Sequence, residues 1–149
     1  MVSALVSMDD LKVTSRKQVI IDEPETNSYY LKYVPSVQTL FVISDTTAKL
    51  YMIDFKVNNP TLLHYAFPVF PKNPMSVEAT PNGQMLSVGF EDGTINVYQV
   101  ANLVKKLLYK EISYRVHEIS VCDQEFIGSE DNYRLASIDF KGKFVLYCL

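Results

Sequence analysis

The chain lacks most of what disulfide scaffolds, metal sites and membrane anchors require. It has two cysteines, Cys122 and Cys148, and two histidines in 149 residues. With no CxxC pair and no Cys/His cluster, neither a zinc site nor another cofactor is expected. The N-terminal stretch MVSALVSMDD has no basic region before its apolar run, unlike a signal peptide. No apolar run approaches the roughly 18 residues typical of a membrane span, so we expect a cytoplasmic or nuclear protein.

The charge balance argues against nucleic-acid binding. The net charge is -3 and the pI is about 5.3, whereas proteins that bind phosphate backbones carry a basic face. Apolar residues make up 48% of the chain and charged residues 21%. This composition suits one domain with a buried core.

Short runs rich in Val, Ile, Tyr, Phe and Thr alternate with Pro, Asn, Asp and Gly, which predicts strands joined by turns. The best helix candidate is VANLVKKLLY at residues 100–109. We expect at most one helical turn there, leading into a strand.

A turn followed by a strand recurs three times, as SDTTAKLYMI (44–53), EDGTINVYQV (91–100) and FKGKFVLYCL (140–149). Each strand carries a tyrosine, and Tyr51, Tyr98 and Tyr147 are 47 and 49 positions apart. The strands before these turns begin at Leu40, Leu86 and Leu135. The chain therefore contains an internal repeat with a period in the forties.

Each period holds four predicted strands. The first strands lie in SYYLKYVP, MSVEATP and HEISVCDQ, and the fourth strands in KQVII (17–21), LLHYAF (62–67) and KLLYKEI (106–112). A four-stranded unit of this period is typical of a β-propeller blade. The predicted fold is all-β, a partial propeller of about three blades. The units span residues 1–22 (partial), 23–67, 68–112 and 113–149, the last without its fourth strand.

The segment MSVEATPNGQMLSVGFEDGTINVYQV resembles a WD repeat. Thr80-Pro81-Asn82-Gly83 matches the S-P-D-G turn of that family, and residues 91–95 match its second D-G-T-I turn. Tyr98 stands where the family has tryptophan. The outer two repeats are degenerate, and together the resemblance covers nearly the whole chain.

The resemblance implies a hydrogen-bond tetrad of His, Ser or Thr, Asp and Trp. His117 and Ser137 match the first two positions. Asp139 or Lys141 falls near the position of the aspartate, and Tyr147 replaces the tryptophan. We therefore expect a partial network.

The chain is expected to begin and end within a third strand, because ALVSMDDLKV resembles NVYQVANLVK in pattern and FVLYCL is a third strand. Propellers close with about four to eight blades. Three explanations stay open: a piece of a longer propeller, a chain that pairs with another chain or with itself, and an open three-blade array.

Catalytic residues are not evident, and we do not expect an enzyme. His64 and His117 are interpreted as structural, and the acids mostly lie in turns. Cys122 and Cys148 fall on the first and third strands of one blade, about 9–10 Å apart. Because a disulfide needs Cα atoms within about 7 Å, we expect two free, buried thiols.

The candidate binding residues lie in loops. PVFPKNP (68–74), DEPETN (22–27) and EISYRV (111–116) are expected to share one face with the turns SDTT, EDGT and DFKGK. Val69 and Phe70 there are candidates for partner contacts, with packing of Phe70 onto its own blade as the alternative. A set of acids would make this face suitable for a basic peptide: Asp22, Glu23, Glu25, Asp45, Glu91 and Asp92.

On the opposite face, DQEFIGSEDN (123–132) is longer than its counterparts. Phe126 and Ile127 are its exposed apolar candidates, because insertions in repeats often carry contacts.

The expected function is a non-catalytic scaffold within a protein assembly, binding other subunits, a complementary propeller segment or a second copy. One alternative is the N-terminal propeller of a vesicle coat or tethering subunit. The other is a hydrolase, which would need acids or histidines converging on the central channel.

Overall fold

The computed structural model describes residues 2–6, 13–18, 28–56, 61–63, 70–105, 107, 110–130 and 132–149. For residues 2–6, 13–18, 61–63 and 111 it describes the backbone alone. Within these ranges the chain forms thirteen β-strands, one short α-helix and one 3₁₀ turn, Pro35–Val37.

The strands form one hairpin and three antiparallel sheets, in which strands adjacent in sequence are adjacent in space. The hairpin pairs β1 (Val2–Val6) with β2 (Val13–Gln18). The first sheet contains β3 (Tyr29–Val34), β4 (Thr39–Ser44), β5 (Leu50–Asp54) and β6 (Thr61–Leu63). The second contains β7 (Pro74–Ala79), β8 (Met85–Phe90), β9 (Thr94–Gln99) and β10 (Lys110–Arg115). The third contains β11 (Val121–Ile127), β12 (Arg134–Asp139) and β13 (Phe144–Cys148). The predicted all-β class is confirmed.

The predicted helical turn is also confirmed, as α1 (Val100–Val104) between β9 and β10. It packs inward through Leu103, which is fully buried. The prediction of a loop at residues 111–116 was wrong, since most of this segment belongs to β10. The Tyr114 ring stacks on Tyr147 at 4.4 Å between centroids, and this contact with the third sheet helps to hold β10 in place.

The tight turns follow from their glycines. Gly83 and Gly93 have φ of 70° and 82°, a left-handed conformation that costs glycine little. A Cβ atom on Gly93 would also lie 2.1 Å from the carbonyl oxygen of His117. Glycine at position 93 therefore permits both the turn between β8 and β9 and the close approach of the chain just before β11.

In every sheet the turn between the second and third strands lies beside the residue that precedes the first strand. The same backbone hydrogen bond joins them each time: Asp45 N to Ser28 O at 3.1 Å, Glu91 N to Asn73 O at 3.1 Å and Phe140 N to Ser120 O at 3.3 Å. These contacts confirm that the three turns sit at the same end of their sheets as the start of each first strand.

The pairing between the second and third strands of the first sheet is shifted by one residue relative to the other two sheets. Leu86 pairs with Tyr98 and Leu135 pairs with Tyr147, each pair 12 positions apart. Leu40 pairs with Ile53, 13 positions away, and Tyr51 pairs with Val42. The predicted equivalence of Tyr51 was therefore wrong by two residues. The turn between β4 and β5 has one additional residue and includes Ala48 at a left-handed φ of 51°.

The two larger apolar layers of the core lie on either side of the second sheet. A smaller third cluster, which includes Val42 and Ile53, lies on the face of the first sheet that is turned away from the second. We call the face of a sheet that is turned toward the next sheet its following face, and the other its preceding face. In the first layer, Phe41 and Ile43 of β4 pack with Leu86 and Val88 of β8. In the second, Ile95 and Val97 of β9 pack with residues of β11, β12 and β13. The second sheet is therefore buried on both faces.

Candidate functional site

The first strands β3, β7 and β11 lie next to one another, and a cleft of about 220 Å³ opens over them. The turns that follow β3 and β7 complete its walls. The apolar part of the lining includes Tyr33, Pro35, Pro81 and Phe126. Tyr33 is 47% exposed, so an aromatic surface is accessible at the rim.

Three charged side chains, Lys32, Glu78 and Glu125, also line the cleft. Lys32 Nζ lies 2.5 Å from Glu78 Oε1, while Glu125 is exposed. Burial raises the pKa of Glu78, Lys32 opposes this increase, and the charge of Glu125 adds to it. The three groups together leave one negative charge in excess, so the cleft favours a cation.

These three residues occupy equivalent positions in the repeat. Lys32, Glu78 and Glu125 are 46 and 47 positions apart, and each pairs with a residue near the middle of its second strand. Sequence reasoning missed them because it searched loops for charges. The repeat spacing was the signal that would have found them.

The structure does not present Phe70 to a partner. The side chain is 2% exposed, and its ring lies 5.9 Å from that of Phe90 and 5.5 Å from that of Tyr98. The Phe70 N–H donates to Ala48 O at 3.0 Å. The two ring contacts are with strands of its own repeat unit, so the packing alternative is correct. The hydrogen bond to Ala48 O also joins Phe70 to the turn between β4 and β5. Val69 lies outside the described residues.

Phe126 and Ile127 have opposite environments because they alternate on one strand. The predicted loop at 123–132 was wrong in part, since β11 extends to Ile127. Phe126 is 8% exposed and meets Tyr133 edge-on at 6.0 Å, so the prediction of an exposed side chain was wrong. Ile127 is 47% exposed and remains a contact candidate.

The predicted acidic face is less available than its composition indicates. Asp92 forms an ion pair with Lys72, and Glu91 accepts a 3.0 Å hydrogen bond from Asn73 Nδ2. Asp45 accepts from Ser28 Oγ at 2.7 Å, and chiefly this bond lowers its pKa to about 2. Each carboxylate thus binds the segment that precedes the first strand of its own sheet. Asp22, Glu23 and Glu25 lie outside the described residues.

His117, Ser137 and Asp139 form a connected network in the third sheet. His117 Nδ1 lies 3.0 Å from Asp139 Oδ2, and Nε2 lies 2.7 Å from Ser137 Oγ. Because a carboxylate only accepts, Nδ1–H donates to Asp139, and in the neutral ring Nε2 accepts from the Ser137 hydroxyl. The backbone N–H groups of Lys141 and Lys143 also donate to Asp139.

Desolvation acts to raise the pKa of Asp139, but the Lys143 N–H, His117 and the Lys141 N–H together hold it below its ordinary value. The fourth predicted member of the network, Tyr147, stays outside it. Its hydroxyl is buried and has no partner at hydrogen-bond geometry among the described residues. Burial raises its pKa, and the neighbouring Ser137 hydroxyl opposes this increase.

The order Asp–His–Ser is that of a hydrolase triad, but this network is enclosed. His117, Ser137 and Asp139 are 2%, 2% and 4% exposed. A substrate carbonyl has to reach the serine oxygen for acyl transfer, and burial to this degree prevents that approach. The network instead ties the turn between β12 and β13 to the chain before β11. His64 lies outside the described residues.

Both cysteines are free, as predicted, but the prediction that they are buried was wrong. Cys148 is exposed and Cys122 is partly exposed. Each is adjacent to a core residue, Tyr147 or Val121, and so faces away from the core.

Within the described ranges, no group of three or more Cys, His, Asp or Glu side chains is placed to hold a metal ion. No helix in the described part of the chain has the length and apolarity needed to cross a bilayer.

No protein-family model matches the chain, and no curated protein matches it.

Proposed function

We propose that this chain is a non-catalytic interaction scaffold of the WD-repeat propeller type, acting within a cytoplasmic or nuclear protein assembly. Three antiparallel sheets of repeated turn geometry support this, as does their packing in sequence order through two apolar layers. An arrangement that brings first strands side by side creates a concave surface that can receive a ligand.

The observation that carries the proposal is the cleft over β3, β7 and β11. It combines an accessible aromatic rim with one excess negative charge, contributed by Glu78 and Glu125 against Lys32. The ligand we propose is an extended segment of a partner protein. It places a lysine or arginine between the two carboxylates and an apolar neighbour against Tyr33.

The enclosure of Ser137 supports a binding role over hydrolysis, since the triad-like group formed by described residues has no accessible nucleophile. The cleft does bring two carboxylates together, as a glycosidase requires. However, Glu78 is already held by Lys32, and this ion pair favours ligand recognition over proton transfer.

The test is fluorescence anisotropy with labelled ten-residue peptides. Their central residue is Lys, Arg, Ala or Glu between apolar neighbours, and they are titrated with the full chain. We expect basic peptides to bind best. Glu125→Gln should weaken their binding about fivefold, the equivalent of about 1 kcal/mol for an exposed ion pair.

Lys32→Ala should act in the opposite direction and strengthen the binding of basic peptides, because it frees Glu78. The matched control is Glu118→Gln, which removes an exposed carboxylate just before β11 and should leave binding unchanged. Equal binding of all four peptides, or equal effects of Glu125→Gln and Glu118→Gln, would overturn the proposal.

A further inference from the structure

The cleft over β3, β7 and β11 has two levels along the direction of the strands. The charged side chains Lys32, Glu78 and Glu125 form the first level, and Lys32 and Glu78 project from the following faces of their sheets. Three residues further along the chain in each case, Pro35 and Pro81 line the same cleft, and both are exposed. A charged level and a proline level are therefore separated by the same number of residues on two walls.

The volume of the cleft suits part of a longer chain. It is about 220 Å³, below the roughly 300–1,000 Å³ of sites that enclose a whole small molecule. It therefore accommodates one or two side chains of a segment that continues beyond the cleft at both ends.

The distance between the two levels matches one turn of a polyproline II helix. Val34 is extended, so the three steps from Lys32 to Pro35 span about 10 Å at about 3.3 Å per residue. One turn of polyproline II contains three residues and rises about 9 Å. A β-strand instead returns to the same face every second residue, at about 7 Å. Only the polyproline II repeat places one ligand side chain at each level.

The walls of the proline level have no N–H group for a β-strand ligand. Pro35 and Pro81 lack this group, and the N–H of Thr80 donates to Met85 O at 3.0 Å. Ser36 Oγ donates to Pro81 O, which joins the two turns. A β-strand binds by main-chain hydrogen bonds, whereas a polyproline II segment has a solvated backbone and does not need them.

The apolar surface of the cleft is the kind on which polyproline II segments dock, since these segments bind in grooves lined by aromatic side chains. Tyr33 is 47% exposed at the rim, and its ring meets Phe55 edge-on at 6.1 Å. This contact orients the tyrosine before any ligand arrives. A proline ring of the ligand also has little side-chain entropy to lose on burial.

We propose that the ligand of the cleft is a polyproline II segment with a lysine or arginine three residues from a proline. This inference rests on the proposed function, which places the basic residue between Glu78 and Glu125, and it adds the conformation and spacing of the segment. The proline packs against Tyr33, Pro35 and Pro81. Because the three-residue repeat runs in both directions along the helix, the proline precedes or follows the basic residue.

The test measures the binding of four labelled ten-residue peptides to the full chain by fluorescence anisotropy. The first peptide has a central lysine, prolines three residues before and after it, and alanine elsewhere. In the second, the prolines are moved to two residues from the lysine, and in the third, valine replaces both prolines. The fourth is the first with glutamate in place of lysine. We expect the first to bind at least about fivefold more tightly than the others.

The peptides separate this inference from the proposed function. Equal binding of the three lysine peptides, with weaker binding of the glutamate peptide, would overturn the inference and leave the proposed function intact. Tightest binding of the valine peptide would indicate a β-strand ligand and would also overturn the inference alone. Equal binding of the first and fourth peptides, or no binding of any, would overturn both.

On the protein side, Tyr33→Ala should remove the preference for the first peptide over the third. The matched control is Tyr29→Ala, since Tyr29 is an exposed tyrosine of the same strand and is not among the residues that line the cleft. This control should leave the preference unchanged. A thermal melt checks that Tyr33→Ala still folds, and Pro81→Ala serves as the second variant if it does not. Full retention of the preference in the folded variant would contradict the proposal.

Discussion

His117 and Asp139 are joined by a hydrogen bond of 3.0 Å between Nδ1 and Oδ2, and both side chains are buried. The carboxylate also accepts from the backbone of Lys141 and Lys143. One side chain thus organises the turn between β12 and β13 and connects it to the segment before β11. The stability of the third sheet should depend on the ionisation of this group.

Asp139→Asn should lower the free energy of unfolding at neutral pH. It should also make this free energy fall less steeply as the pH is lowered into the acid range. The folded-state pKa of Asp139 is lower than the ordinary 3.8. The carboxylate therefore stabilises the fold above pH 3.8, and this contribution disappears as the pH falls through the folded-state pKa. Urea midpoints from pH 7 to pH 2 would measure it. The control is the exposed Asp123→Asn. A variant that retains the acid dependence of the wild type would contradict the assignment.

Gly93→Ala should cost more stability than Gly142→Ala, although both glycines have a φ near 80°. At Gly142 a Cβ atom would meet nothing within 4 Å, so only the left-handed conformation is penalised, by about 1 kcal/mol. At Gly93 the same atom would lie 2.1 Å from His117 O. We expect an additional loss of at least about 1 kcal/mol, measured by urea denaturation. Equal losses would contradict the close approach.

Leu86→Ala and Leu146→Ala test which face of a sheet is buried in the isolated chain. Leu86 is fully buried between the first two sheets, and its truncation should cost about 2–5 kcal/mol. Leu146 on β13 is 45% exposed, and we expect a change within about 0.5 kcal/mol. A large loss for Leu146→Ala would show that something in the chain already covers that face.

Tyr98→Phe should remove part of the alkaline destabilisation. Burial raises the pKa of Tyr98 to about 12, partly opposed by the hydrogen bond from Asn96 Nδ2. Between pH 10 and 12 the unfolded chain loses this proton before the folded chain does, so stability falls as the pH rises.

The variant should show a shallower decline in that range, by about 1 kcal/mol per pH unit. At neutral pH it should be weaker by about 1 kcal/mol, because Asn96 loses its partner. Denaturant midpoints at pH 7 and from pH 9.5 to 12 would measure both effects. Identical alkaline slopes would be inconsistent with a buried Tyr98 hydroxyl.

Much of the local structure could be predicted from the sequence. The turns at Asn82-Gly83 and Asp92-Gly93 were matched from the sequence, and so was the short helix that begins at Val100. The repeat predicted four strands to a unit, as the first two sheets show. These features depend on the backbone preferences of a few neighbouring residues, which a short window of sequence contains.

The candidate site was harder to predict. Phe70 and Phe126 were chosen as surface contacts and are buried, whereas Lys32, Glu78 and Glu125 were overlooked and line the cleft. Tyr51 matched the repeat by its spacing from Tyr98. In the structure, however, the residue opposite Leu40 is Ile53, because the turn between β4 and β5 has one additional residue.

The sequence by itself determined the strands, most of their turns and their order in each sheet, because period-two alternation and turn residues act within a few positions. Only the tertiary structure decided which faces are covered and which charges meet. Lys32 and Glu78 are 46 positions apart, the same spacing as the repeat positions Phe41 and Ser87. The spacing alone does not show a contact. The packing of one sheet on the next brings Lys32 and Glu78 together as an ion pair. The same packing leaves Phe144 open, because no third junction covers it among the described residues.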